Sequence, residues 1–115
     1  MKKEQFITKD SGKRVTFKSG FNRDVAENKP RYDLIPPNIL KRLAEVYTRG
    51  SFKYGDNNWQ KAETEEEYQR FIGSGYRHFE QWRNGERDED HAMQAVWNII
   101  AYEWHKTKWY TKAIW

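Results

Sequence analysis

The 115-residue chain predicts a mainly α fold: three principal helices in a small bundle, preceded by a short N-terminal β-hairpin or extended arm. Three observations lead there. Apolar residues recur at helical spacing in three separate stretches. Each stretch is bounded by residues that start or stop helices. Ahead of the first, Gly20, Asn22, Asp24, Asn28, Pro30, Pro36 and Pro37 break any regular pattern.

Taken in order, Gln5–Thr8 and Arg14–Phe17 flank the turn-forming run Lys9-Asp10-Ser11-Gly12-Lys13, the pattern of a hairpin. The first helix is expected from Pro37, whose missing N–H costs nothing at a helix start. Ile39, Leu40, Leu43, Val46 and Tyr47 form its apolar stripe, and it should end between Gly50 and Gly55. Thr64-Glu65-Glu66-Glu67 is a capping box opening the second helix, which is expected to bury Tyr68, Phe71, Ile72, Phe79 and Trp82 before Asn84-Gly85 ends it. Gly73 and Gly75 interrupt that helix at a cost of about 1 kcal/mol each relative to Ala, which suggests a close approach by another backbone or a ligand, or a weak point in the helix. The third helix is expected over about 88–108, with Asp88 as cap and Ala92, Met93, Val96, Ile99, Ile100 and Trp104 turned inward. The aromatic C-terminus, 109–115, is expected to pack on its own domain or on a neighbour. Residues 1–19 form the basic arm and 20–115 the helical body of a single domain.

Composition narrows the function. The chain has no Cys, which excludes disulfide scaffolds and thiol chemistry and suits a reducing cytoplasm. No apolar run is long enough to span a membrane, and the basic N-terminus leads into no apolar signal segment. Leu, Ile, Val and Phe number only 20 residues, but six Trp and seven Tyr compensate. So short a chain has little interior of its own, and a homo-oligomer is expected. Residues 1–32 hold nine Lys/Arg against four Asp/Glu, so the net +4 lies in the arm, and nucleic acid is an unlikely partner for the balanced remainder.

Two constellations could carry chemistry. Asp88, His91, Ala95, Asn98, Tyr102 and His105 share one face of the third helix. An antiparallel turn through 84–87 would bring His78 near His91, with Glu86, Asp88, Glu89 and Asp90 crowding the same end. Such a set could hold a divalent ion, carboxylates suiting Mg2+ or Mn2+ and imidazole shifting preference toward Mn2+ or Zn2+. The bland alternative is acidic residues serving the helix dipole beside hydrogen-bonded core histidines. The second constellation is Lys53-Tyr54-Gly55-Asp56-Asn57-Asn58-Trp59, which with Arg77 offers stacking, edge hydrogen bonds and phosphate contacts to a nucleotide. An ordinary turn with Trp59 as a core plug would look the same. Walker-type phosphate loops, Gly-rich dinucleotide turns and zinc-protease helices are missing.

The run Lys29-Pro30-Arg31-Tyr32-Asp33-Leu34-Ile35-Pro36, followed by Lys53-Tyr54-Gly55, Asn58-Trp59, Arg77-His78 with Trp82, Gly85-Glu86, His91 and Asn98, resembles the phage-borne dATP/dGTP diphosphohydrolase N-terminal-domain family. That family is grouped with MazG-like nucleotide pyrophosphohydrolases, and the resemblance spans about residues 20–103. It implies cleavage of a purine deoxynucleoside triphosphate to monophosphate and pyrophosphate with a divalent ion, Mg2+ or Mn2+. Glu86, Asp88 and His91 would be catalytic, and His78, Glu89, Asp90 and His91 would hold the ion. Lys53 and Arg77 would clamp phosphates, with Tyr54, Asn58, Trp59 and Asn98 completing the nucleotide site. A rival reading is a non-catalytic protein that sequesters a nucleotide immune signal, favoured by the short acidic loop before His91 and by Gln94. A third is a nucleic-acid- or protein-binding accessory factor working through the basic arm.

Overall fold

Local sequence accounts for each observed element. The computed structural model describes residues 8–25 and 28–107, and its contacts divide them into two compact units that meet in sequence at Tyr32 and Asp33. The expected first strand, Gln5–Thr8, and the C-terminal segment 109–115 lie largely or wholly outside the described residues.

In the first unit β1 (Arg14–Thr16) pairs antiparallel with β2 (Asn22–Asp24), matching Arg14 to Asp24, Val15 to Arg23 and Thr16 to Asn22. The hairpin therefore closes downstream of Arg14, across a segment the sequence pattern left irregular. Gly20 at φ +88° supplies the left-handed residue this turn needs, and its N–H reaches the Phe17 carbonyl at 2.9 Å. Phe17 and Phe21 then stack across the turn, 5.8 Å between ring centroids. The run at 9–13 makes a different closure: Asp10 accepts from the Gly12 N–H and pairs with Arg14 at 2.8 Å.

The second unit contains the three helices. α1 (Pro37–Tyr54) starts as expected, with the Pro36 carbonyl accepting from Ile39 and Leu40. A 3-10 turn, Asn58–Lys61, leads to α2 (Glu65–Arg83), where the Thr64 hydroxyl both accepts from the Glu67 N–H and donates to its carboxylate. α3 (His91–Thr107) begins three residues later than Asp88. Its cap is Asp90, which accepts from the Met93 N–H at 3.2 Å while Arg42 of α1 grips both its oxygens at 2.8 and 2.9 Å.

α2 and α3 run antiparallel, with His78 against His91 at one end and Glu65 against Lys106 at the other. Their seam departs from the expected burial in part: Met93 is buried as expected, and Ala92, Ile100, Tyr68, Phe71 and Ile72 are half-buried. The buried residues of α3 are His91, Met93, Ala95, Asn98, Ala101 and His105, whereas Val96, Ile99 and Trp104 of the apolar stripe are exposed, Ile99 by 62%. On α2 only His78 is buried, and Phe79 and Trp82 are about half exposed, not buried as the stripe implied. The cause is close helix approach. A Cβ at Gly75 would lie 3.2 Å from the Asn98 Cβ, so the seam admits small or slender side chains and turns bulky ones outward. Gly75 is thus the backbone approach its sequence position suggested; at Gly73 a Cβ would meet nothing within 4 Å.

Candidate nucleotide site

α1, the 3-10 turn, α2 and α3 enclose an open cleft of about 1290 Å³. Lys53 and Tyr54 come from the end of α1, Asn58 and Trp59 from the 3-10 turn, Arg77 from α2 and Asn98 from α3; all six line this one cleft, as do His78 and Glu89. They come together because α1 and α2 both pack on α3. Tyr47 and Trp97 meet edge to face at 6.2 Å, holding the midpoint of α1 over the middle of α3. Trp59 sits among Tyr47, Trp97 and Trp104 with ring centroids 5.2–6.2 Å away, all edge to face. It is a cleft wall and a core plug at once.

The cleft also collects Arg49, Lys61 and Arg70, so five cationic side chains face three carboxylates, Asp56, Glu67 and Glu89. Sequence reasoning missed those three cations. Arg70, Ser74, Arg77 and Gln81 recur at steps of four, three and four, a polar stripe on α2 that could have revealed Arg70. A surplus of positive charge beside aromatic walls suits a polyphosphate joined to a base.

From His78, which lines the cleft, a chain of hydrogen bonds runs to His91 and Asp88, neither of which lines it. His78 Nδ1 and His91 Nδ1 are 2.9 Å apart, and His91 Nε2 is 2.7 Å from Asp88 Oδ1. A carboxylate only accepts, so His91 donates from Nε2. In the neutral tautomer His91 Nδ1 then accepts from His78 Nδ1–H, leaving the Nε2 lone pair of His78, on a residue that lines the cleft. Burial, with Arg77 and His91 adding to it, holds the His78 imidazole below its ordinary pKa and favours that neutral form. The His91 hydrogen bond holds the Asp88 carboxyl below the usual range.

Of the expected ion ligands, His78 and His91 meet while Glu89 and Asp90 are engaged by other side chains; the acidic group beside His91 is made by Glu86 and Asp88, which were expected to be catalytic. Glu86, Asp88 and His91 bring one donor atom each to within 4.8 Å of one another. Asp90 is engaged by Arg42, which lowers its pKa, and Glu89 accepts from Gln94 at 2.9 Å. Two carboxylates beside an imidazole fit a hard divalent cation that keeps part of its water shell.

A family profile described as dATP/dGTP diphosphohydrolase, N-terminal, matches residues 19–112. The chain belongs to this family. The match takes in all three helices and every residue placed around the cleft. No curated protein and no solved structure matches the chain. Among the described residues no helix is long and apolar enough to cross a membrane.

Proposed function

We propose that the cleft binds a purine deoxynucleoside triphosphate and cleaves it to the monophosphate and pyrophosphate with the help of Mg2+ or Mn2+. The observation that carries this reading is the convergence of Lys53, Arg77, Tyr54, Trp59, Asn58 and Asn98 on one cleft with His78, in a chain of the diphosphohydrolase family. Lys53 and Arg77, with Arg49, Lys61 and Arg70 in reserve, meet the phosphates. Tyr54 and Trp59 flank the base, whose edge is read by Asn58 and Asn98. Glu86 and Asp88 would hold the cation through carboxylate oxygens, with His91 orienting Asp88 from its Nε2–H. The ion supplies neutralisation of phosphate charge and a more acidic water. His78 takes the proton of the water that attacks the α-phosphorus, and the bond from that phosphorus to the bridging oxygen breaks as pyrophosphate leaves.

A second reading has a specific observation behind it. With Asp90 held by Arg42 and Glu89 by Gln94, two carboxylates of the 86–90 turn are committed elsewhere, which favours a protein that retains a nucleotide signal without cleaving it. The outward apolar residues Phe79, Trp82, Val96 and Ile99 support self-association in either reading, and both readings are proposed for a bacterial host cytoplasm.

Incubation with dATP, dGTP and other nucleotides, with and without Mn2+, followed by chromatography, separates them. Monophosphate plus pyrophosphate formed only with metal, lost in Asp88→Asn and reduced about tenfold or more in Lys53→Ala or Arg77→Ala, is the expected result. Intact nucleotide recovered from the protein supports the second reading. Absence of both turnover and retention overturns both readings.

A further inference from the structure

The cleft residues Asn58 and Trp59 sit on a four-residue 3-10 turn that is part of no strand or long helix, so that apart from the packing of the Trp59 ring its backbone needs a separate anchor. An isolated turn of this kind is a poor platform for reading a base, because its few internal hydrogen bonds fix it weakly. Its anchor comes from the far end of α3. His105 Nε2 lies 2.9 Å from the Trp59 carbonyl oxygen, a contact bridging 46 positions of sequence. The carbonyl accepts, so the proton is on Nε2. His105 is 3% exposed and does not line the cleft. Its ring stacks on Tyr68 at 4.8 Å and on Phe71 at 5.7 Å, with Trp59 and Trp104 meeting it edge to face at 6.2 and 4.9 Å. The two stacks fix the plane of the ring, and the hydrogen bond to the Trp59 carbonyl selects the orientation that turns Nε2 toward it. Its other nitrogen, Nδ1, is buried with no hydrogen-bond partner among the described residues, so the donor to Trp59 is the ring's one polar engagement there.

We infer that His105 is a positioning residue for the nucleotide site: its Nε2–H, aimed by the Tyr68–Phe71 stack, pins the Trp59 backbone and so fixes where Asn58 and Trp59 present themselves to the base. A histidine buried only for packing would need the ring and no donor. The inference rests on the cleft being the nucleotide site, and its test reads the tether and the ligand separately.

His105→Phe keeps a stacking ring and removes the donor; His105→Gln keeps a donor and removes the ring. Hydrogen–deuterium exchange of the free protein over 57–62 reads the tether without any ligand, and calorimetric titration with dATP and dGTP reads the site. In His105→Phe, with far-UV helicity retained, exchange at 57–62 should rise about tenfold and nucleotide affinity fall by about tenfold, the upper range for one hydrogen bond. His105→Gln should recover much of both. Imidazole 15N shifts of the wild type should report the Nε2–H tautomer at His105. Unchanged exchange in a folded His105→Phe, or equal losses in the Gln and Phe variants, would overturn the inference. A loosened 57–62 segment with unchanged nucleotide affinity would overturn it too, by showing a tether that serves folding alone. A wild type that binds no nucleotide sinks the site reading, while exchange still decides the tether.

Discussion

Gly73 and Gly75 lie two residues apart in α2, and replacing each with Ala tests the close packing of α2 on α3. The helix-propensity gain is the same at both positions, about 1 kcal/mol in a helix interior. At 73 the new methyl meets open space, so the gain should appear whole, raising the melting temperature by about 4 °C for a chain of this size. At 75 the methyl would arrive 3.2 Å from the Asn98 Cβ and 3.9 Å from the Ala95 carbonyl oxygen. Overpacking of that kind costs about 1–3 kcal/mol, so Gly75→Ala should range from neutral to about 2 kcal/mol destabilised. The two variants should therefore differ by about 1–3 kcal/mol although they make the same chemical change. Thermal melts followed by far-UV circular dichroism, with urea denaturation as a check, give the difference directly. Because Asn98 lines the cleft, Gly75→Ala should also weaken nucleotide binding while Gly73→Ala leaves it unchanged. Equal stabilisation by both substitutions would refute the close approach and with it the explanation for the outward turn of Ile99.

Two further outcomes follow from the turn that joins α2 to α3. Asp90→Ala removes the cap of α3 and the partner of Arg42, and should cost about 2 kcal/mol in urea denaturation, with Asp90→Asn losing roughly half because it can still cap. The depressed pKa of His78 makes stability fall on acidification: the unfolded imidazole takes up a proton from about pH 6.5 downward, before the folded one does. Stability from this residue is thus complete above about pH 6.5 and drains away as pH falls through the lower, folded value. Melting temperatures measured between about pH 8 and 5 should show the decline in the wild type, and His78→Gln should flatten it; an unflattened profile would place the proton uptake elsewhere. Asp88, Asp90 and Glu65, also depressed, add losses of the same sign at more acidic pH.

The parts of this molecule set by near neighbours in sequence were legible in it. Pro37, the Thr64–Glu67 cap and Asn84-Gly85 mark helix ends through contacts made within four residues. Lys53, Tyr54, Asn58, Trp59, Arg77 and Asn98 were grouped by the mixture of side chains a nucleotide would call for, and packing of α1 and α2 on α3 brings them to one cleft. What depended on distant partners was not legible. Periodicity finds two faces of α3 but not which one α2 covers; there the small side chains of Gly75, Ala95 and Ala101 overrode hydrophobicity. Asp90 looked like one more acid in a cluster until Arg42, 48 positions away, claimed it. The downstream pairing of Arg14–Thr16 turned on a choice between Gly12 and Gly20 as the turn, and both adopt positive φ. His105 was placed on the same face as His91, yet nothing in sequence announces that the Trp59 carbonyl is within its reach.

The way α1 is supported has a mechanical consequence. Arg42 fastens it to the start of α3, and Tyr47 rests on Trp97. Beyond Tyr47 seven residues remain, an overhang of about 10 Å at 1.5 Å per residue. Residues 52–58, which include Lys53 and Tyr54, are exposed throughout. The α1 side of the cleft is therefore a cantilever and the α3 side a foundation. A load applied at Lys53 bends the free end about the Tyr47 fulcrum, leaving the Asp88–His91–His78 line undisturbed. On the proposed function, grip on the phosphates and alignment of the reacting proton would then have different stiffnesses within one small bundle.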